Sequence, residues 1–212
     1  PAPFYAWVDA GDHQVVSTSM ERLLAVERAN VDSVGAGEMS KGRHGGNFTP
    51  AGADEMRRYS IETRPIKGTR PRGRTIEEDR RIEEGLCASE KDDAELSMIV
   101  DLARNDIGRV SRAGSVRVAE HKRTERYENV MHLVSVITGI LNGDAGIADV
   151  FRALFPGGSI TGCPKIRAME LIDELEPVTR HVYTGSIGLL AADGSADFNI
   201  AIRTAVVRDG MC

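Results

Sequence analysis

The strongest constraint on the fold lies near the C-terminal end. There Phe198, Ile200, Ile202, Thr204 and Val206 alternate with Asn199, Ala201, Arg203, Ala205 and Val207. Period-two alternation puts one set of side chains on each face of a half-buried strand, predicted over 197–207. A second strand is predicted over 184–191, with Asp193-Gly194 between them, a dipeptide that favours a tight hairpin turn. Strands joined this closely run antiparallel. The pattern recurs at the other end, where 4–8 and 13–19 read as strands joined by Asp9-Ala10-Gly11-Asp12. Strand signals also fall at Tyr59–Glu62 and Val116–Val118. Helical signals lie in between: a charged segment from Thr75 to about Ile107, in which Leu96, Ile99, Val100, Ala103 and Ile107 share one face. Further helices are predicted around 127–141 and 147–154, and from Pro164 to about Leu175. Antiparallel strands with inserted helices predict a mixed α/β (α+β) fold rather than a parallel sheet.

Composition narrows the function classes. The 212 residues are 41% hydrophobic and 28% charged, enough for one substantial domain with a proper core. Acidic residues outnumber basic ones by 32 to 27, a net charge of −5, which argues against nucleic acid as a partner. No apolar run approaches the roughly 18 residues of a membrane helix, and no basic-then-apolar leader opens the sequence. Cys87, Cys163 and Cys212 lack zinc or paired spacing and read as free thiols of a reduced, cytoplasmic protein. Cys163 reads as a small core residue. The sequence opens on Pro1 and stops two residues after the turn dipeptide Asp209-Gly210, so we expect one domain over 1–212, truncated at both ends. Residues 29–53, with six glycines plus Asn47 and Pro50, read as a flexible loop inside it.

Several stretches have the residue types that chemistry needs. Thr63–Arg74 holds five basic residues in twelve. It reads either as a solvated hairpin or as the setting for Lys67, which sits between Ile66 and Gly68 where partial desolvation would favour a nucleophilic amine. Asp92 and Glu95 share a helix face, as a Mg²⁺ site or an ion-paired surface would require, with Lys91 within reach of Glu95. The turn Gly157–Gly162 before Pro164 is either an anion-binding helix start or a tight loop. His132 lies in an apolar helix by this reading, the usual place of a satisfied core histidine. Arg203 lies on the last strand, as a carboxylate fork or a solvent-facing residue.

Taken together and in order, these stretches are far more specific. Pro65-Ile66-Lys67-Gly68-Thr69, Ile99 through Val110 (IVDLARNDIGRV), Val130 through Ser135, Phe155 through Pro177 (FPGGSITGCPKIRAMELIDELEP), Gly185–Gly188 and Asn199–Thr204 strongly resemble the chorismate-using enzymes. That family comprises anthranilate synthase component I, aminodeoxychorismate synthase component I and the isochorismate synthases. The resemblance covers nearly all of 1–28 and 59–212. It implies a sandwich of two antiparallel sheets with outer helices and a site in the cleft between them.

The resemblance also implies roles. Lysine in PIKGT, where anthranilate synthases typically carry alanine, is characteristic of aminodeoxychorismate synthases and implies that Lys67 attacks the chorismate ring. Ammonia from a glutamine amidotransferase partner then displaces it, giving 4-amino-4-deoxychorismate for p-aminobenzoate and folate. Glu21 matches a general acid or base, His132 an active-site histidine, and Ser159, Tyr183 and Arg203 positions that hold substrate carboxylates. Glu95 matches a Mg²⁺ ligand, with Asp92 behind it. Three departures are visible: Met20 replaces the proline of the family's Pro-Glu pair, 29–53 widens the gap from Glu21 to Lys67, and the family's second metal-binding glutamate and N-terminal half lie outside the sequence. These departures predict little or no activity for the 212 residues alone. Anthranilate, isochorismate or salicylate synthesis, or chorismate binding without activity, are the alternatives.

Overall fold

In the computed structural model, which describes residues 3–29, 59–209 and Met211, the chain order is β1 (Phe4–Asp9), β2 (Gln14–Ser19), β3 (Arg22–Arg28), β4 (Tyr59–Arg64), β5 (Ile66–Pro71), α1 (Ile76–Cys87) and α2 (Glu90–Gly108). Then follow β6 (Arg117–Arg126), β7 (Val130–Ile140), α3 (Ile147–Leu154), a 3₁₀ turn (Gly158–Ile160), α4 (Lys165–Leu175), β8 (Gly188–Leu190), β9 (Ala196–Asn199) and β10 (Thr204–Val207). All but the first residue of the predicted 29–53 loop lies outside the described residues.

The strands form two antiparallel sheets. The smaller has the order β1-β2-β10. In the larger, β7 pairs with β6 along one edge and with β4 and then β5 along the other, and β3, β9 and β8 follow β4. Helix α2 packs against β5, β6 and β7. Leu86, Leu96 and Ile107 from the helices meet Ile61, Met131, Leu133 and Ile137 from the sheet in a core closed to solvent. Burial on this scale is the main stabilising term of the domain.

The two sheets meet at a corner that two chain segments cross side by side. One is Met20-Glu21, leading from β2 to β3. The other is Ile200–Arg203, leading from β9 to β10. Thr18 N donates to Arg203 O at 3.0 Å, Ile200 N donates to Glu21 O at 3.0 Å, and the buried Ser19 hydroxyl donates to Ile200 O at 2.6 Å. Strands that change sheets need such bends.

Several sequence expectations are corrected here. Residues 127–141 are not helical: Val130–Ile140 is the long central strand β7. Its residues from Met131 to Ile137 are buried on both faces, so the alternation that marks a half-buried strand is missing. The predicted strand 197–207 divides into β9 and β10 in different sheets, and 184–191 shortens to β8. Arg203 is therefore not a strand residue but sits in the corner with φ 50°. Val116–Val118 extends to β6. The helical segment 75–107 breaks between α1 and α2, because Thr75 and Ser89 cap each start by accepting from Glu78 N and Asp92 N. Cys163 is exposed rather than in the core.

Candidate active site

Met20, Glu21, Lys67, Thr69, His132, Ser159 and Arg203 line one cavity of about 250 Å³ at this corner. Five of the residues singled out from sequence are among them: Glu21, Lys67, His132, Ser159 and Arg203. Two larger clefts, about 590 Å³ beside α4 and about 400 Å³ between α3 and the β8–β9 turn, are lined by no lysine or histidine.

A bulge aims Lys67. In the β5–β7 ladder Lys67 faces Leu133 and Thr69 faces His132, which leaves Gly68 as the extra residue. Leu133 points into the core, and without the bulge its cross-strand partner would share that face. Gly68 takes φ 71°, and a Cβ there would stand 2.8 Å from Leu86 Cδ1 and 3.1 Å from Asp92 Cγ. Only glycine meets both demands. The surrounding basic residues are not a solvated hairpin: Arg64 pairs with Glu62, Arg70 with Asp92 and Arg72 with Asp79, at 2.6–2.7 Å. Lys67 makes no ion pair among the described residues.

Glu21 is buried where the first corner segment crosses. Burial pushes its carboxyl up to about 7, and the nearby Ser159 hydroxyl, Ile66 amide and Lys67 ammonium only partly offset this. A carboxyl that gains and loses a proton near neutrality suits general acid–base work. The Ser159 Oγ itself is buried without a partner of hydrogen-bonding geometry.

His132 is held from both sides. Its Nδ1 lies 2.7 Å from the Thr69 hydroxyl and its Nε2 lies 3.1 Å from Met20 Sδ. A thioether sulfur can only accept, so Nε2 carries the ring proton and Nδ1 accepts from Thr69. Burial first, and then the Arg203 cation, lower its pKa below the ordinary value, so the ring is neutral at pH 7. Thr69 and Met20 are site residues that sequence reasoning missed. The period-two relation of Thr69 to Lys67 was the available signal for the first.

Tyr183, Asp92 and Glu95 are not brought into the cavity lining. Tyr183 is exposed, Asp92 backs onto Gly68 and is tied to Arg70, and Glu95 lies 3.9 Å from Lys91. Among the described residues no group of three metal-ligating side chains converges. The residues present thus fit Mg²⁺ only in part: of Asp92 and Glu95, the Glu95 carboxylate is the one not engaged by an arginine. Mg²⁺ commonly takes one or two protein carboxylates and completes its shell with water and substrate oxygens.

The corner of this two-sheet antiparallel sandwich thus gathers a lysine, a carboxyl raised towards neutrality and a guanidinium. Residues 48–212 match the chorismate binding enzyme family, and the chain belongs to it. It is 45% identical over 209 residues to anthranilate synthase component 1 of Aquifex aeolicus, covering 99% of this chain and 36% of that protein. Against aminodeoxychorismate synthase component 1 of Bacillus subtilis it is 42% identical over 210 residues, covering 99% and 38%. The crystal structure of anthranilate synthase component I from Streptococcus pneumoniae TIGR4 superposes with a TM-score of 0.76 at 35% identity, over 99% of this chain and 39% of that one. The chain therefore spans somewhat over a third of the length of these relatives. No helix among the described residues is long and apolar enough to cross a membrane.

Proposed function

We propose that this chain carries part of the site of an enzyme that aminates chorismate to 4-amino-4-deoxychorismate, using ammonia from a glutamine amidotransferase partner. The observation that carries this reading is Lys67, turned by the Gly68 bulge into the same cavity as Glu21. The resemblance implies that lysine here, where anthranilate synthases typically carry alanine, is characteristic of the aminodeoxychorismate branch.

In this reading Arg203 and the Ser159 hydroxyl hold the substrate's carboxylates, and neutral His132 lies along the ring. The Lys67 ammonium gives a proton to the Glu21 carboxylate; the free amine then bonds to ring C2 as the C4–O bond breaks, and Glu21 passes that proton to the departing hydroxyl, which leaves as water. Ammonia then bonds to C4 while the C2–N bond to Lys67 breaks, and one proton of the incoming amine returns to Glu21. Mg²⁺, held by Glu95, would neutralise the ring carboxylate when bound. Asp92, tied to Arg70, would stand behind that site.

A second reading, anthranilate synthesis, is favoured by one observation: relatives carrying that name reach 45% identity over 209 residues and 56% over 146, against 42% over 210 for the aminodeoxychorismate synthase. Intact-mass spectrometry of the full-length protein, mixed with chorismate and Mg²⁺ but no ammonia, separates the two. Lysine-assisted amination predicts an adduct of one chorismate less one water, mapped to the peptide bearing Lys67. Product formation on adding ammonia, without any adduct on that peptide, would count against it.

A further inference from the structure

Glu21 and Ser159 line a second, smaller cavity on the inner side of the site. It has a volume of about 30 Å³ and is bounded also by Thr63, Leu154, Ile200 and Asp106. One water needs roughly 10–15 Å³ of such space and two to four polar partners. Three are at hand. The Ser159 Oγ is buried and unpartnered, and Glu21 is buried beside it. Asp106, from α2, accepts at Oδ2 from Lys165 Nζ at 2.6 Å, while its other oxygen accepts no hydrogen bond among the described residues. Lys165, the first residue of α4, also donates to Leu154 O at 3.2 Å. Both members of this ion pair are largely shielded from solvent, with side-chain exposures of 15% and 7%. Buried polar atoms left unpaired are costly, and a bridging water removes that cost.

We propose that this cavity holds one water between Glu21, Ser159 and Asp106, and that through it the buried Asp106–Lys165 pair acts as a positioning element for Glu21. The functional meaning rests on Glu21 being the acid–base group of the reading above; the structural claim does not. The Ser159 hydroxyl has one donor and two acceptor sites, so it serves a ligand on the outer side and the water on the inner side. When a ligand fills the outer cavity, Glu21 can exchange its proton on the inner side. The proton moves to the water, and the water passes one of its own to Asp106; one proton is transferred and no other bond changes. The charged and titratable groups that face Glu21 are Lys67 from β5, His132 from β7 and Arg203 from the corner on the outer side, and Asp106 with Lys165 behind it on the inner side.

The test follows the Glu21 carboxyl by ¹³C NMR in this chain without substrate, so the outcome does not depend on whether chorismate is the ligand. Asp106→Asn keeps the shape and leaves the Lys165 cation, and the Glu21 midpoint should fall from about 7 by about one unit. Lys165→Met leaves an unpaired carboxylate facing Glu21, and the midpoint should rise by a similar amount. Lys165→Arg should restore it. Shifts of opposite sign in the first two variants support the proposal, and unchanged midpoints or shifts of the same sign overturn it. Should Lys165→Met fail to fold, Asp106→Asn alone decides, a midpoint equal to that of the wild type being the contrary result. Loss of the chorismate reading with these shifts intact would refute only the proposed function.

Discussion

Replacing Glu21 by glutamine should make the protein more stable, and increasingly so as the pH rises. In the folded chain the Glu21 carboxyl sits near 7, against 4.5 for an exposed glutamate, because burial disfavours its charged form. A group raised on folding contributes stability that is complete below its unfolded pKa and disappears as pH climbs through its folded pKa. At about 1.4 kcal/mol per unit, the whole effect is about 3 kcal/mol, of which roughly 2 to 3 kcal/mol is lost between pH 5 and pH 8.5. Glutamine has nearly the same shape and no charge to bury, so it does not suffer this loss. The assay is urea unfolding of wild type and Glu21→Gln at both pH values. At pH 5 the two should agree to within about 1 kcal/mol. At pH 8.5 the variant should lead by a further 2 kcal/mol or so. Subtracting one protein from the other removes the titrations of His132 and the surface carboxylates, which the two share. A pH-independent difference would refute the claim that Glu21 is buried at the expense of its charge.

Three further outcomes follow from the same geometry. Gly68→Ala should cost about 2 kcal/mol in urea unfolding, because φ 71° and the contact 2.8 Å from Leu86 Cδ1 leave no place for a methyl group. Arg203→Gln should raise the His132 midpoint, followed by its ring signals in NMR, but leave it below the ordinary histidine value, since burial is the larger cause and remains. In the full-length protein Glu21→Gln should lower the turnover of chorismate by roughly 10²–10⁴-fold, the usual worth of a general acid, with little change in chorismate binding; unchanged turnover would remove Glu21 from the chemistry.

The sequence made the motifs legible but not how the chain brings them together. Glu21, Lys67, His132, Ser159 and Arg203 were all nameable from sequence, and they meet in one cavity although Glu21 and Arg203 are 182 positions apart. What was not legible depends on tertiary context. Val130–Ile140 read as a helix because burial on both faces erases the period of two, although its Val, Ile and Thr content favoured a strand. Arg203 read as a strand residue because the alternation of 197–207 continues through the corner, while the backbone turns there to φ 50°. The Gly68 bulge left only a glycine as its mark. The Asp106–Lys165 pair lay within two motifs already noted, but no spacing rule joins residues 59 positions apart on different helices.

Product identity decides whether Lys67 takes part in amination at C4. The full-length protein would be incubated with chorismate, Mg²⁺ and ammonia and the product identified by mass spectrometry, alongside Lys67→Ala. We predict 4-amino-4-deoxychorismate from the wild type and its loss from the variant. Anthranilate or isochorismate from the wild type, or undiminished amination by Lys67→Ala, would contradict it.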